Sequence, residues 1–296
     1  RRTQEFLHIR EILKESFEQI DRRYQDKGTV TGIPTGFTDL DKLTSGLQPS
    51  DLIIVAARPA MGKTTFSLNI AAHAAIHHKY PVAIFSLETS KEQLVQRLLC
   101  AEAEVDSNRL RTGYLSDSDW PKLSRAMGRL SEAPIFIDDS ASISVVEMRA
   151  KSRKLKAEHG LGLVIIDYLQ MIQSYKRTEN RTQEISEIAR ALKSLAKELN
   201  VPVIAISQLS RAVELTGTRR PMLSHLRESG ELEQVADLVL FIYRQDYYDP
   251  ERARAEGKEN VAEIIVAKHR NGPVGQVELY FHKEHNRFAN LERRRI

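Results

Sequence analysis

Leu52-Ile-Ile-Val-Ala56 runs straight into Ala57-Arg-Pro-Ala-Met-Gly-Lys-Thr64, and no other stretch restricts the fold so tightly. Five apolar residues without alternation predict a strand buried on both faces, as in parallel sheets flanked by helices. The residues after it approach the pattern G-x-x-x-x-G-K-[ST], a loop that cradles phosphate between a strand and a helix. Gly62, Lys63 and Thr64 match, while Ala57 replaces the first glycine. Alanine is unstrained there if φ is negative. Gly62 lets backbone N–H groups approach a phosphate, and the following helix N-terminus adds its positive dipole end. Lys63 can reach β- and γ-phosphates, and the Thr64 hydroxyl can ligate Mg2+. The candidate nucleotide-binding residues are therefore Arg58, Pro59, Ala60, Met61, Gly62, Lys63, Thr64 and Thr65. A chance strand–turn–helix carrying Gly-Lys-Thr is the competing reading.

The rest of the chain repeats strand and helix. A helix is expected from Lys63 to about Lys79, stopped by Tyr80-Pro81. Val82–Leu87, Ile135–Ile137, Leu163–Ile166, Val203–Ile206 and Leu238–Ile242 read as further strands. Ser90-x-x-Gln93 and Ser144-x-x-Glu147 resemble capping boxes that open helices. Ile185, Ile188, Leu192, Leu195 and Leu199 mark a long amphipathic helix. Near the end, Ala262–Ala267 and Val277–Phe281 flank Asn271-Gly272, a hairpin signal. Such alternation predicts an α/β fold with a mostly parallel central sheet.

Parallel strands bring their C-terminal ends to one edge, so Glu88, Asp167 and Gln208 are expected to face the crevice of Lys63. An acid at that edge suits a Mg2+ site. We favour Asp167, with Asp138 or Asp139 as the rival, because Ile135-Phe-Ile-Asp138-Asp139 looks similar. Glu88 can orient an attacking water, or simply cap the next helix. Gln208 can sense a γ-phosphate without adding charge, or be an ordinary loop residue. Ser174–Arg181 and Arg211–Gly230 are basic loops suited to a polyanion or to plain solvation. Lys268-His-Arg270 ends a hairpin strand, where its cations can reach another subunit's nucleotide site or form an exposed basic turn. His73 and His77 are one helical turn apart but lack a third ligand at suitable spacing, so we do not assign a metal to them.

Residues 1–27 predict an isolated amphipathic helix. Phe6, Ile9, Leu13, Phe17, Ile20 and Tyr24 make a single narrow apolar stripe. It packs either on its own domain or on a neighbouring subunit. Gly28–Pro34 reads as a linker. The net charge of +4 fits a polyanion partner but does not demand one. Cys100 is the single cysteine, which excludes an internal disulfide and a Cys-based zinc site. A reducing intracellular, cytoplasmic setting is expected, and no apolar run approaches the roughly 20 residues that span a bilayer. The chain opens at Arg1-Arg2-Thr3 without methionine or signal peptide, which leads us to expect a fragment or a processed chain.

Taken in order, several segments together resemble the C-terminal motor domain of bacterial replicative helicases of the DnaB type. They are Thr31–Asp41, Ala57–Thr65, Phe85–Glu88, Ile165–Gln170, Ser207–Arg211, Leu226–Gly230 and Lys268–Pro273. The resemblance implies a RecA-like P-loop fold with a C-terminal β-hairpin extension. It implies a homohexameric ring that hydrolyses ATP with Mg2+ and moves 5′-to-3′ on single-stranded DNA. Residues 1–30 would be a linker helix docking on the adjacent subunit, and 31–296 the motor. Lys63 and Thr64 would hold phosphate and Mg2+, and Asp167 would be the second metal residue. Glu88 would be the catalytic base, and Gln208 would couple the γ-phosphate to the DNA loops. Arg227, Glu228 and Gly230 would track DNA, and Arg270, helped by Lys268, would act in trans. His225 departs from the acidic residue usual in the family. The family's N-terminal domain, which recruits primase, falls outside this chain, and a helicase loader is a further expected partner. A RecA/RadA-type recombination ATPase and a non-motor P-loop ring subunit are the alternatives.

Overall fold

The computed structural model describes residues 6–25, 30–172, 181–229 and 231–291, with 227–229 as backbone only. Among these described residues nine strands form one sheet: β1 (Leu52–Ala57), β2 (Val82–Ser86), β3 (Ile135–Asp138), β4 (Leu163–Asp167), β5 (Val203–Gln208), β6 (Leu238–Tyr243), β7 (Val261–His269), β8 (Gly275–His282) and β9 (Arg287–Asn290). Their order is β3-β2-β4-β5-β1-β6-β7-β8-β9. The six strands from β3 to β6 are parallel, and β7, β8 and β9 add antiparallel.

The helices are α1 (Ile9–Gln25), α2 (Thr38–Thr44), α3 (Lys63–His78), α4 (Lys91–Ala103), α5 (Ser107–Thr112), α6 (Asp119–Glu132), α7 (Val145–His159), α8 (Arg181–Leu199), α9 (Leu232–Val235), α10 (Gln245–Tyr248) and α11 (Pro250–Ala255). The unbroken apolar character of β1 has a direct structural cause. Ile53, Val55 and Ala57 pack on one face of the sheet with Phe66 and Ile70 of α3 and with Leu94 of α4. Leu52, Ile54 and Ala56 pack on the other with Met148 of α7 and Leu192 of α8. Both faces are covered, so alternation would have left polar groups buried. Ser90 and Ser144 cap α4 and α7 by accepting from the backbone N–H groups of Gln93 and Glu147.

Two expectations need correction, and a third is refined. Gly28–Pro34 is not wholly a linker, because Gly32 and Ile33 are tied to the body. Gly32 N donates to Ser45 O at 2.9 Å, and Ile33 N donates to Leu47 O at 2.8 Å. The expected hairpin forms, with β7 and β8 pairing antiparallel around Asn271-Gly272, through a connection longer than two residues. Neither Asn271 nor Gly272 has positive φ, and β8 begins only at Gly275. The turn is longer because β7 continues to His269 in order to pair with Leu238 of β6. The C-terminal extension is also more than a hairpin, since β9 adds a third antiparallel strand against β8. The β9 residue Phe288 packs edge-on against Phe66.

The N-terminal helix forms as expected, but α1 buries none of its residues. Phe17 remains 71% exposed and Leu13 58%. Among the described residues its apolar stripe stays exposed. Among the described residues no helix is long and apolar enough to cross a membrane.

Candidate nucleotide site

The parallel register builds the site. Ala57 pairs with Gln208 across β1 and β5, and Ser86 pairs with Asp167 across β2 and β4. The ends of these strands therefore meet at the N-terminus of α3. Gly62 caps α3 with φ of 94°. A Cβ built there would sit 2.8 Å from the Phe288 ring, so only glycine fits. Ala57 has no positive φ, which explains why alanine is tolerated there.

Thr64 Oγ1 donates to Asp167 Oδ2 at 2.8 Å. Asp167 is 2% exposed, and its Oδ1 is buried without a partner. Lys63 Nζ donates to Gln208 Oε1 at 3.3 Å and lies 4.5 Å from the centre of the Tyr168 ring. Burial pushes the Lys63 ammonium below its ordinary range, against the pull of Asp167 and Glu88. Burial likewise pushes the Asp167 carboxyl up, against the Thr64 hydrogen bond and the Lys63 charge. Glu88 is exposed at the same edge, close enough to act on Lys63, Asp167 and Tyr168 alike.

The rivals to Asp167 have other partners. Asp138 pairs with Lys151 and accepts from Ser140 N at 2.9 Å. Asp139 accepts from Lys91 N at 3.1 Å, at the start of α4. Neither meets Lys63 or Thr64.

Of the remaining loop residues, Met61 and Thr65 are buried, and Pro59 and Ala60 are exposed. Arg58 turns its guanidinium away from the loop, donating to Leu209 O at 2.7 Å and Glu214 Oε1 at 3.0 Å. Lys268 and Arg270 are not brought to this site. Lys268 Nζ donates to Glu233 O at 2.6 Å, and Arg270 NH1 pairs with Asp237 Oδ1 at 3.2 Å. Both lie where β7 passes Leu238, the first residue of β6, at the opposite edge of the sheet. Gly230 and most of Ser174–Arg181 lie outside the described residues, as do the side chains of Arg227 and Glu228. His225 makes a local contact, its Nδ1 accepting from Met222 N at 2.9 Å.

Several residues act at the site without having been assigned a role from the sequence. Gln170 Nε2 donates to Ser207 Oγ at 2.9 Å and to Gln208 O at 3.2 Å, which fixes the backbone carrying Gln208. Arg244 is 4% exposed and donates to Ala60 O at 3.3 Å, beneath the loop. Tyr168 and Phe288 had no periodic signal. Tyr168 lies in the Ile165–Gln170 segment that carries the resemblance, and Phe288 lies in the final strand.

A buried, unpartnered carboxylate oxygen beside a threonine hydroxyl fits a hard divalent cation. With the lysine, the glycine-opened helix end and the parallel sheet, it defines a P-loop nucleotide-binding domain of RecA-like architecture. The chain belongs to the DnaB-like helicase C terminal domain family, whose model matches residues 32–290. It is 57% identical over 293 residues to the "Replicative DNA helicase DnaC" of Bacillus subtilis (strain 168), covering 99% of this chain. The chain spans 64% of that relative's length. A solved ATPase domain is 42% identical with a TM-score of 0.92, over 97% of this chain and 100% of that one. A DnaB-like replicative helicase solved for its interactions with primase is also 42% identical, with a TM-score of 0.88, over 97% of this chain and 68% of that one.

Proposed function

We propose that this domain is the ATP-driven motor of a replicative DNA helicase, moving 5′-to-3′ on single-stranded DNA as a homohexameric ring. The observation that carries the reading is the 3.3 Å contact between Lys63 and Gln208. The cation expected at the terminal phosphate touches the last residue of β5. The chain after it enters the basic segment that contains Arg211, Arg219, Arg220 and Arg227. Phosphate chemistry and a polyanion surface therefore share one short stretch of backbone.

Lys63 and the loop N–H groups would hold the phosphates, and Thr64 and Asp167 would hold Mg2+. Bound Mg2+ supplies charge neutralisation at the transferred phosphoryl group. Glu88 would orient the attacking water and take its proton. Gln208 would shift with the presence of the γ-phosphate. Arg227, Glu228 and Gly230 would follow the DNA backbone, giving binding that is sequence-independent and salt-sensitive.

Lys268 and Arg270 would complete the site of an adjacent subunit, with Arg270 as the finger. Their place at the far edge of the sheet supports this, since one subunit cannot use its own pair. Residues 1–30 would be the linker helix that docks on the neighbour, leaving 31–296 as the motor. The unburied stripe of α1 supports that division. In the longer cytoplasmic protein, primase would bind through an N-terminal domain and a loader would place the ring on DNA. The primase contact is suggested by the solved relative.

A forked-duplex assay tests the function. ATP should drive unwinding of a duplex with a 5′ tail and not of one with only a 3′ tail. Strand exchange without unwinding would point instead to a recombination ATPase.

A further inference from the structure

Glu214 is an acid held against the phosphate loop from the segment that follows β5. Arg58, beside Ala57 at the mouth of the loop, is 11% exposed and splits its donors between two points on that segment. One is the Leu209 carbonyl at 2.7 Å, immediately after Gln208. The other is the Glu214 carboxylate at 3.0 Å, within the short 3-10 helix Arg211–Leu215. Leu209 N also donates to Ala57 O at 3.0 Å. The phosphate loop and the start of the basic segment are thus joined three times over, beyond the Lys63–Gln208 contact.

These links differ in kind. The backbone bond and the Leu209 carbonyl hold the chain near its exit from the sheet, where it is already fixed by β5. Glu214 is the farthest point reached, and its bond alone joins two opposite charges. Beyond it the segment is anchored again at Arg220, which pairs with Glu263 and donates to Gln276 on the β7–β8 layer. The stretch between Glu214 and Arg220 is therefore pinned at both ends, with the first pin set in the phosphate loop.

We propose that the Arg58–Glu214 pair is a strut that relays the state of the phosphate loop to the DNA-facing segment, with both residues acting as positioning residues. This rests on the DNA-motor reading above. Glu214 touches neither the expected phosphates nor, as an anion, a DNA backbone. Its removal should leave nucleotide turnover and DNA affinity in place and weaken the coupling between them.

The test is ATPase rate with and without saturating single-stranded DNA in the intact protein, for wild type, Glu214→Ala, Glu214→Gln, Arg58→Ala and the Arg58→Ala/Glu214→Ala double variant. Single-stranded DNA affinity is measured in parallel by anisotropy. For Glu214→Ala we expect a DNA-free rate within about twofold of wild type, unchanged or tighter DNA binding, and stimulation reduced at least about fivefold. Glu214→Gln retains an acceptor for Arg58 and should lose less. If Glu214→Ala does not fold, Glu214→Gln carries the test alone, with reduced stimulation still required. In the Arg58→Ala background the second change should add nothing, since partners in one link are non-additive. Full stimulation in Glu214→Ala, a loss of stimulation matched by a loss of DNA affinity, or additive losses in the double variant would each overturn the strut and leave the motor reading intact. A wild-type rate indifferent to DNA would remove the motor reading, and the strut with it.

Discussion

Thr64 Oγ1 lies 2.8 Å from Asp167 Oδ2 and leaves the other carboxylate oxygen of Asp167 buried with no partner. That arrangement is poor for stability and good for holding a cation. Burial raises the Asp167 carboxyl despite the Thr64 hydrogen bond and the nearby Lys63, so folding disfavours its charged form relative to the unfolded chain. Asp167→Asn should therefore raise the melting temperature without nucleotide. The same change should lower Mg2+-dependent ATP hydrolysis by about a hundredfold or more, the scale of removing one preorganised electrostatic group. Differential scanning fluorimetry and steady-state ATPase read the two effects. A variant destabilised without ligand would contradict the first, and one that kept full turnover would contradict the second.

The phosphate loop takes left-handed backbone at Ala60 (φ 67°) and Gly62 but not at Ala57. Gly62 has φ of 94° and faces the Phe288 ring, while Ala57 has ordinary φ. Gly62→Ala should cost about 1–2 kcal/mol from the left-handed backbone alone, plus displacement of Phe288. It should weaken nucleotide binding at least about tenfold, since the N–H groups of the loop lose their aim. Ala57→Gly, which restores the usual motif, should leave ATPase within about twofold and cost about 1 kcal/mol through added backbone freedom. Chemical denaturation with nucleotide titration separates the two variants.

A half-buried acid at the far edge of the sheet sets a pH dependence. Burial and the neighbouring Asp237 push Asp51 up to about 6, opposed by Lys193, His269 and Arg270. A raised carboxyl favours the protonated form in the fold. Its stabilising contribution is complete below the ordinary carboxylate range and is lost as pH rises through about 6. Asp51→Asn should remove that slope and stabilise the protein by about 1 kcal/mol at pH above 7, after allowing for solvent at this partly open site. Urea unfolding at pH 5 and pH 8 measures it. Equal pH slopes in wild type and variant would refute the assignment.

The N-terminal helix separates assembly from folding. Because α1 buries nothing, Phe17→Asp should leave the stability of the isolated subunit within about 0.5 kcal/mol. It should nevertheless weaken ring formation, since a charge would enter an apolar docking stripe. Sedimentation velocity across protein concentration follows the ring, and thermal melting follows the subunit. Unchanged assembly would place the helix outside the interface.

The sheet and its ligand edge were legible because they obey local rules. Unbroken apolar runs marked the strands from β1 to β6, and the parallel register then brought Lys63, Glu88, Asp167 and Gln208 together with no further information. Asp167 and Asp138 look alike in sequence, and their different side-chain partners appear only in the fold, where Lys151 meets Asp138 and Thr64 meets Asp167. β9 was not visible, because Arg287–Asn290 is short and mixed in polarity, and only its pairing with β8 makes it a strand. The roles of Gln170, Arg244 and Glu214 were hidden for the same reason. Each acts on a residue far away in sequence, and no spacing rule reaches across such a distance. α6 is strongly one-sided, yet its Trp120 and Met127 face outward, which blurred the stripe that would have announced it.

If each site is finished by a neighbour, as proposed, a subunit-mixing assay reveals it most directly. Arg270→Ala keeps an intact phosphate loop but presents no finger, whereas Lys63→Ala presents a finger but has no working loop. Each alone should hydrolyse ATP at a small fraction of the wild-type rate. After co-assembly in equal amounts, about a quarter of the interfaces in a cyclic ring pair an intact loop with an intact finger. DNA-stimulated turnover should then recover toward that fraction of wild type. Recovery of this kind is the predicted result. A mixture no more active than the average of its parts, or an Arg270→Ala protein as active as wild type, would contradict the account.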